Sequence, residues 1–308
     1  MISFRYRDKG TVIHRLNPFS KIAWVVSVFV AALVLDNPLF MLILFLSTLP
    51  FVAAAKVWRE WASFMKLALY ICLAIIVINA LVSYNGSHVL AEAPFSLPVM
   101  GTPRITVEAI VYGVGMAIRL LAIISAFAVL TLTVNPDDLM LSMIKMKLPY
   151  KSVLVMALST RFVPTLLGDA ERISDVQRSR GLELDRGRLP GRVRRSMHVM
   201  IPLLSNSLDR TVQISEAMES RAFGSGTKRT YYRDVKVSRV DMLTVLLGLA
   251  PCALVIVMAV LGYGNYSYYP TLGGMNLGAA EWAMLPFLAL LVSAPALLAF
   301  LKRRIDLD

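Results

Sequence analysis

Two arginines of this chain stand in closely similar surroundings. Ser179-Arg180-Gly181 and Ser220-Arg221-Ala222 lie 41 residues apart, each at the end of an amphipathic stretch. A guanidinium binds a carboxylate through two parallel hydrogen bonds, and small neighbours let another protein approach it closely. We therefore consider a pair of protruding arginines that would suit a two-lobed cytoplasmic partner. The alternative is ordinary helix chemistry, because an arginine is also favourable beside the carbonyl end of a helix.

The common sequence signatures of enzymes are missing. The chain has no phosphate-binding GxxxxGK[ST] loop, no HExxH and no GxSxG. Its three histidines, His14, His88 and His198, fall in distant segments, so we predict no metal site. Prenyltransferase-like membrane enzymes use Asp-rich sites with Mg²⁺, but the single pair Asp137-Asp138 is better explained by acids in the first turn of a helix. We predict no catalytic residue.

Arg119 is a charge in the middle of a long apolar run. An unpaired charge at that depth of a bilayer is costly, so the guanidinium needs partners. It is either a structural arginine bonded to carbonyls or to Asn79, or a contact to another membrane protein.

The elements that must position these residues belong to a membrane protein. The 308 residues are 57% hydrophobic and yet carry a net charge of +12. The apolar content excludes a disordered chain. The presence of only two cysteines excludes a disulfide scaffold. The first two apolar runs form a helical hairpin that turns at Asn37-Pro38 and is short enough to be re-entrant or strongly tilted. We predict an all-α polytopic membrane protein with about six transmembrane helices, at Ile22–Leu35, Leu39–Ala55, Phe64–Tyr84, Ile105–Val134, Val240–Tyr263 and Trp282–Leu301.

The basic residues predict how these spans are oriented. Lys and Arg number five in residues 1–21, three in 56–66 and nineteen in 135–239, whereas 85–104 has one and 264–281 none. With six spans, all the basic segments fall on one side, which the positive-inside rule assigns to the cytoplasm. Both termini are then cytoplasmic.

The longest basic segment, residues 135–239, is predicted to be a cytoplasmic set of amphipathic helices between spans four and five. One helix would run from Pro136 to about Lys147, a second from Tyr150 to Arg180, and a third from Arg195 to Phe223. Glu183–Arg195 would be a loop. The chain then divides into a four-span part (1–134), the cytoplasmic helices (135–239) and a two-span part (240–308).

The pattern resembles the transmembrane T component of energy-coupling factor (ECF) transporters, the family that includes the cobalt- and biotin-associated T proteins. The resemblance covers nearly the whole chain. His14-Arg15-Leu16-Asn17-Pro18 resembles the N-terminal entry of the family, and Ser159-Thr160-Arg161-Phe162-Val163-Pro164 resembles the stretch before its first signature. The two arginine tripeptides resemble the family's two Ala-Arg-Gly motifs, with Ser in place of the first Ala in each and Ala222 in place of the second Gly.

The resemblance implies a non-catalytic subunit of an importer for a vitamin or a metal ion. Arg180 and Arg221, with their neighbours, would dock into grooves of two ABC-type ATPase subunits, which carry the ATP and Mg²⁺, so that no cofactor is expected on this chain. The cytoplasmic helices would be coupling helices that hold a small membrane-embedded substrate-binding S component, which Arg119 could also contact. The transported substrate would bind to that other chain.

Two other functions fit the same residues. A membrane enzyme could bind an anionic, polyprenyl-phosphate-like substrate at the basic cytoplasmic face, and would use Asp137-Asp138. A structural scaffold could bind anionic lipid through the basic helices.

Overall fold

The computed structural model describes residues 9–83, 86–92, 104–135, 138–139, 149–182, 189–225, 239–274 and 278–305. Two antiparallel strands, β1 (Val89–Glu92) and β2 (Arg104–Thr106), stand in the segment between the fourth and fifth helices. The helices of these residues are α1 (Val12–Arg15), α2 (Pro18–Val34), α3 (Pro38–Ala55), α4 (Trp58–Val82), α5 (Val107–Thr133), α6 (Tyr150–Ser179), α7 (Leu189–Ser220), α8 (Arg239–Val260) and α9 (Ala279–Ile305). The predicted all-α membrane fold is confirmed.

The described residues form two compact units. The membrane unit lies within residues 1–139 and 236–308 and contains α1–α5, α8 and α9; the helix-pair unit lies within 140–235 and contains α6 and α7. The predicted helix from Pro136 to Lys147 falls almost wholly outside the described residues, of which only 138–139 are helical.

The predicted hairpin at Asn37-Pro38 is present as α2 and α3. Each helix begins with an asparagine followed by proline: the side-chain oxygen of Asn17 accepts from the Phe19 amide at 3.1 Å, and that of Asn37 from the Leu39 amide at 3.0 Å. Such caps satisfy amides that have no partner in the first turn, and proline suits the first helical position because its missing N–H is not needed there. The turn between the two helices is therefore encoded locally.

Helices α4 and α5 approach closely because α5 carries a stripe of small residues. Ala109, Gly113 and Ala117 are four residues apart on one face, and a Cβ on Gly113 would lie 3.1 Å from the Ile76 Cα of α4. Small residues at this spacing let two membrane helices pack backbone against backbone. The opposite face of α4 exposes large apolar side chains, which suits contact with lipid: Leu67, Leu69, Tyr70, Leu73 and Ile78.

The core of the membrane unit is centred on two buried tryptophans. Trp24 packs on Phe51 with ring centroids 4.0 Å apart, and its indole donates to the Val292 carbonyl at 2.8 Å. Trp61 donates to the Ser125 hydroxyl at 3.0 Å. Both buried indole nitrogens thus have the hydrogen-bond partners that a low-dielectric interior requires. Through these contacts Trp24 joins α2 to α3 and α9, and Trp61 joins α4 to α5.

The count of six apolar helices agrees with the prediction, but the set differs. Five of the predicted runs coincide with helices long and apolar enough to cross a membrane, and Lys151–Ser179 of α6 is the sixth. The first run forms only the 17-residue α2, about 26 Å long against a hydrocarbon core of about 30 Å. The first half of α6 is apolar, which brings the helix into the set, although its second half carries five charged residues, Asp169, Glu171, Arg172, Asp175 and Arg178.

The helix-pair unit corrects one boundary of the sequence analysis. Helix α7 begins at Leu189, so Pro190 and Gly191, which had indicated a loop up to Arg195, lie in its first turn. Proline is tolerated there because the amides of the first turn have no helical partner. The predicted end of α6 at Arg180 is confirmed to within one residue.

Candidate docking site at the ends of two helices

The end of α6 is closed by a pair of backbone hydrogen bonds around Arg180. The Gly181 amide donates to the Arg178 carbonyl at 2.9 Å, and the Leu182 amide donates to the Gln177 carbonyl at 3.0 Å. Gly181 has φ +85°, the left-handed conformation that this type of helix ending requires and that glycine adopts without a steric penalty. We call residues 177–182 the Arg180 end.

The end of α7 repeats the same bonds around Arg221. The Ala222 amide donates to the Glu219 carbonyl at 2.8 Å, and the Phe223 amide donates to the Met218 carbonyl at 2.9 Å. Ala222 takes the place of the glycine, with φ +54°. This conformation costs an L-amino acid about 1–2 kcal/mol. We call residues 218–223 the Arg221 end.

Both arginines are therefore the last residue before the chain reverses, and both are exposed. Within the part of the chain that the structure describes, neither guanidinium makes an ion pair or a side-chain hydrogen bond. The neighbouring residues Ser179, Gly181, Ser220 and Ala222 are small and exposed as well. The arrangement presents two charged donors on narrow, well-formed helix ends.

A nearly buried carboxylate joins the two helices between these ends. Asp169 of α6, 12% exposed, accepts from Arg210 of α7 at 3.0 Å and from Arg172 at 2.6 Å. The side-chain amide of Gln177 donates to the His198 carbonyl at 3.5 Å. Gln177 follows Asp169 along α6, whereas its partner His198 precedes Arg210 along α7, so the two helices run antiparallel. This junction was not predicted from the sequence, although Asp169 and Arg210 have the same 41-residue separation as the two arginines.

The junction sits symmetrically with respect to the two ends. Arg180 follows Asp169 by eleven residues, and Arg221 follows Arg210 by eleven. Each end therefore lies about 16 Å along its helix from the junction, in opposite directions. The helix pair holds the two arginines apart at a separation that the shared ion pair fixes.

An apolar stripe runs along α7 and is exposed. Ile201 is 66%, Leu204 63% and Leu208 59% exposed, at the steps of three and four that place them on one helix face. Thr211 and Ser215 continue this face in polar form. A stripe of this kind, uncovered within the described residues, is the mark of a surface that contacts something else.

Arg119 meets the turn between α2 and α3. Its Nη2 donates to an Asp36 carboxylate oxygen at 2.7 Å and to the Leu35 carbonyl at 2.8 Å. The carbonyl partner agrees with one of the two interpretations, whereas Asn79 instead donates to the Ile75 carbonyl of its own helix. Asp36 was not among the partners predicted from the sequence, which were carbonyls and Asn79.

The meeting follows from helix lengths. Arg119 is half way along the 27 residues of α5, and α2 has only 17, so the turn after α2 reaches the middle of its longer neighbour. The Tyr268 hydroxyl donates to the Asp36 carbonyl at 2.8 Å, and burial raises the pKa of Tyr268 to about 12. The phenol therefore stays a neutral donor at physiological pH. The arginine is held through Nη2, whereas its buried Nε has no hydrogen-bond partner among the described residues.

No three His, Cys, Asp or Glu side chains among the described residues come together as metal ligands. A groove of about 740 Å³ between α3 and α9 is lined by apolar side chains, and its hydroxyls, Ser47 and Ser293, donate to carbonyls of their own helices. Of the acidic pair, Asp137 lies outside the described residues and Asp138 within them.

Comparisons with known proteins give the family. The CbiQ family, described as cobalt transport protein, matches residues 9–232, a range that includes both arginine ends. The chain is 30% identical over 254 residues to the energy-coupling factor transporter transmembrane protein EcfT of Lactococcus lactis subsp. cremoris (strain MG1363), covering 80% of this chain and 93% of the relative. It is 30% identical over 259 residues to that of Streptococcus equi subsp. equi (strain 4047), covering 80% and 92%.

A third relative, from Acidaminococcus fermentans, is 28% identical over 268 residues, covering 84% of this chain and 96% of the relative. The resemblance drawn from the motifs is thereby confirmed, as is the expectation of a non-catalytic, multi-pass membrane subunit. The chain belongs to the CbiQ family and is a T component, the transmembrane component of an energy-coupling factor transporter.

Proposed function

We propose that this T component couples two cytoplasmic ABC-type ATPase subunits to a membrane-embedded substrate-binding S component in an importer for a vitamin or a metal ion. ATP-driven motion of the ATPases is transmitted by the helix pair, and the S component reorients to release its substrate. The observation that carries the proposal is the pair of matching helix ends, each closed by the same backbone bonds and each presenting an exposed arginine.

The arginine ends suit this task as mechanical joints. A guanidinium that pairs bidentately with a carboxylate resists displacement in two directions, whereas a single hydrogen bond acts as a pivot. The Asp169–Arg210 ion pair at 3.0 Å links the two helices between the ends, so the two joints move together. Two ends facing opposite ways match a partner with two lobes.

The exposed apolar stripe of α7 supports the second half of the proposal. Ile201, Leu204 and Leu208 offer a surface without fixed hydrogen bonds, along which a membrane protein can slide or tilt with little cost. Within this arrangement Arg119 is structural, since it is already bonded to Leu35 and Asp36.

The chemistry of the cycle belongs to the partners in this account. The ATPase subunits bind ATP and Mg²⁺, and no cofactor is assigned to this chain. The protein resides in the cell membrane with both termini in the cytoplasm, as the excess of Lys and Arg in residues 1–21 and 135–239 indicates.

The test is co-purification of the ATPases with a charge-reversed T component. We expect Arg180→Glu combined with Arg221→Glu to lower the recovery of both ATPases at least a hundredfold, because reversing a buried interfacial charge costs about 2–5 kcal/mol at each site. The measurement is the amount of ATPase retained on a tagged T component in detergent.

A matched control carries two reversals at exposed positions of the membrane unit, Lys56→Glu and Arg59→Glu. The control should retain the ATPases, which separates a specific joint from a general loss of positive charge. Full recovery of the ATPases with both arginines reversed would rule the proposal out.

A further inference from the structure

The chain leaves the membrane unit after α5 and returns to it through α8. We call the last turn of α5 and the first two turns of α8 the two roots of the helix pair. Any force on the helix pair that travels along the chain must enter the membrane unit through these roots.

Two consecutive residues at the start of α2 hold both roots. The Lys21 ammonium donates to the carbonyl of Thr133, the last residue of α5, at 2.8 Å. The hydroxyl of Ser20 is hydrogen-bonded to the hydroxyl of Thr244, in the second turn of α8, at 2.7 Å. These side chains are buried, with exposed fractions of 5% for Lys21, 3% for Ser20 and 2% for Thr244.

The end of α5 strengthens the lysine contact. Carbonyls in the last turn of a helix have no partner within the helix and carry its partial negative charge, so a cation is stabilised there. Lys21 also donates to the His14 carbonyl of α1 at 3.2 Å. A buried ammonium is costly unless it is bonded, so it holds the end of α5 to the start of α2.

The serine contact is reinforced by the backbone. A Cβ added at Gly248 of α8 would lie 3.2 Å from both the Ser20 carbonyl oxygen and the Trp24 amide nitrogen of α2. The two helices therefore run in close contact directly beyond the Ser20–Thr244 bond. Thr244 also donates to the Asp241 carbonyl at 2.9 Å, which fixes its side chain.

We infer that Ser20 and Lys21 are positioning residues that clamp both roots of the helix pair to α2, so that motion of α6 and α7 is passed to the membrane helices. The inference rests on the proposed function, because it assumes that the helix pair carries a stroke. We call Ser20 and Lys21 the clamp. Its hydrogen bonds are made where the chain leaves and re-enters the membrane unit, to Thr133 and Thr244.

The test uses the complete transporter, with its ATPases and S component, reconstituted in liposomes. The measured quantity is the number of substrate molecules taken up per ATP hydrolysed. We expect Lys21→Met to lower this ratio about tenfold, as expected when a charge-assisted hydrogen bond is lost, while ATP hydrolysis and co-purification of the ATPases persist.

The serine arm offers matched controls on the same helices. Ser20→Ala and Thr244→Val should each lower the number of substrate molecules taken up per ATP. Thr244→Ser, which keeps the hydroxyl, should leave this ratio at the wild-type value. Ser27→Ala is the control on α2, because the Ser27 hydroxyl is fully buried and has no hydrogen-bond partner among the described residues. It should leave the ratio unchanged.

The outcomes separate the clamp from a merely structural role. Loss of thermal stability in Ser20→Ala and Thr244→Val, with unchanged uptake per ATP, would overturn the inference. If Lys21→Met does not assemble, these two variants decide the matter. Failure of the wild-type chain to bind ATPases would instead remove the proposed function, so the two failures are distinguishable.

Discussion

The backbone at Arg180 and Arg221 matters as much as the guanidinium. In both ends, the residue after the arginine turns into the left-handed region, which stops the helix and leaves the arginine as its last side chain. Gly181 adopts this conformation freely, whereas Ala222 is strained by its Cβ. The two ends are equal in hydrogen bonding and unequal in strain.

Replacing the strained residue should stabilise the Arg221 end. We expect Ala222→Gly to raise the free energy of unfolding by about 0.5–1 kcal/mol, because the relief of the left-handed conformation exceeds the extra entropy that glycine loses. The measurement is thermal or denaturant unfolding of the T component in detergent.

The reverse change at the other end is the matched control. Gly181→Ala should lower the free energy of unfolding by about 1 kcal/mol. A Cβ at this position would have no atom within 4 Å, so the effect reports the backbone alone. If Ala222→Gly and Gly181→Ala changed the free energy of unfolding by the same amount in the same direction, the difference in strain between the two ends would be refuted.

The sequence predicted one of these two helix ends fully. Gly181 is a standard signal of a helix ending, and the end of α6 was predicted from it. Ala222 gives no such signal, since alanine favours continuation of a helix. The family motif that this end resembles has glycine at this place, but the left-handed conformation of Ala222 is known only from the structure.

At the scale of helices, the contact between α6 and α7 depends on Asp169. We expect Asp169→Asn to weaken the pairing of the helices by about 1–2 kcal/mol, because a nearly buried carboxylate that serves two arginines is replaced by a neutral amide. Faster amide hydrogen exchange around residues 165–173 and 206–214 would report the loosened contact.

A second aspartate on α6 gives the control. Asp175 is 74% exposed and lies 3.8 Å from Arg178, in the next turn, so Asp175→Asn should change the stability by less than about 0.5 kcal/mol. Identical exchange in the two variants would show that the Asp169–Arg210 pair does not hold the helices together.

Helix lengths explain what the sequence could not predict within the membrane. Apolar runs identified five of the membrane-spanning candidates because about 20 apolar residues are a strong signal. The partner of Arg119 was not predictable from them, since it depends on how far α2 reaches along α5. The carboxylate of Asp36 was visible in the sequence as part of a turn, but its depth follows only from packing.

For the molecule as a whole, the account links three places by contacts on the chain. In the proposed function the arginine ends receive the partners. The Asp169–Arg210 pair links α6 to α7 between these ends, and Ser20 with Lys21 bonds to the roots through which the chain of the helix pair joins the membrane unit. The segment 135–239 was predicted from charge and amphipathic periodicity, whereas the contacts at residues 20 and 21 join segments more than one hundred residues apart, which no local pattern reveals.

The central claim is that positions 180 and 221 are in direct contact with the ATPases in the assembled transporter. The most direct measurement is photo-crosslinking from a benzophenone amino acid placed at one position at a time, in membranes that contain all subunits. The control is position 167 on α6, which is exposed and lies beside the Asp169–Arg210 junction, away from both arginine ends. We predict crosslinks to an ATPase subunit from both 180 and 221 and none from 167. Crosslinks from 180 and 221 to lipid alone, with the assembled complex present, would contradict the account.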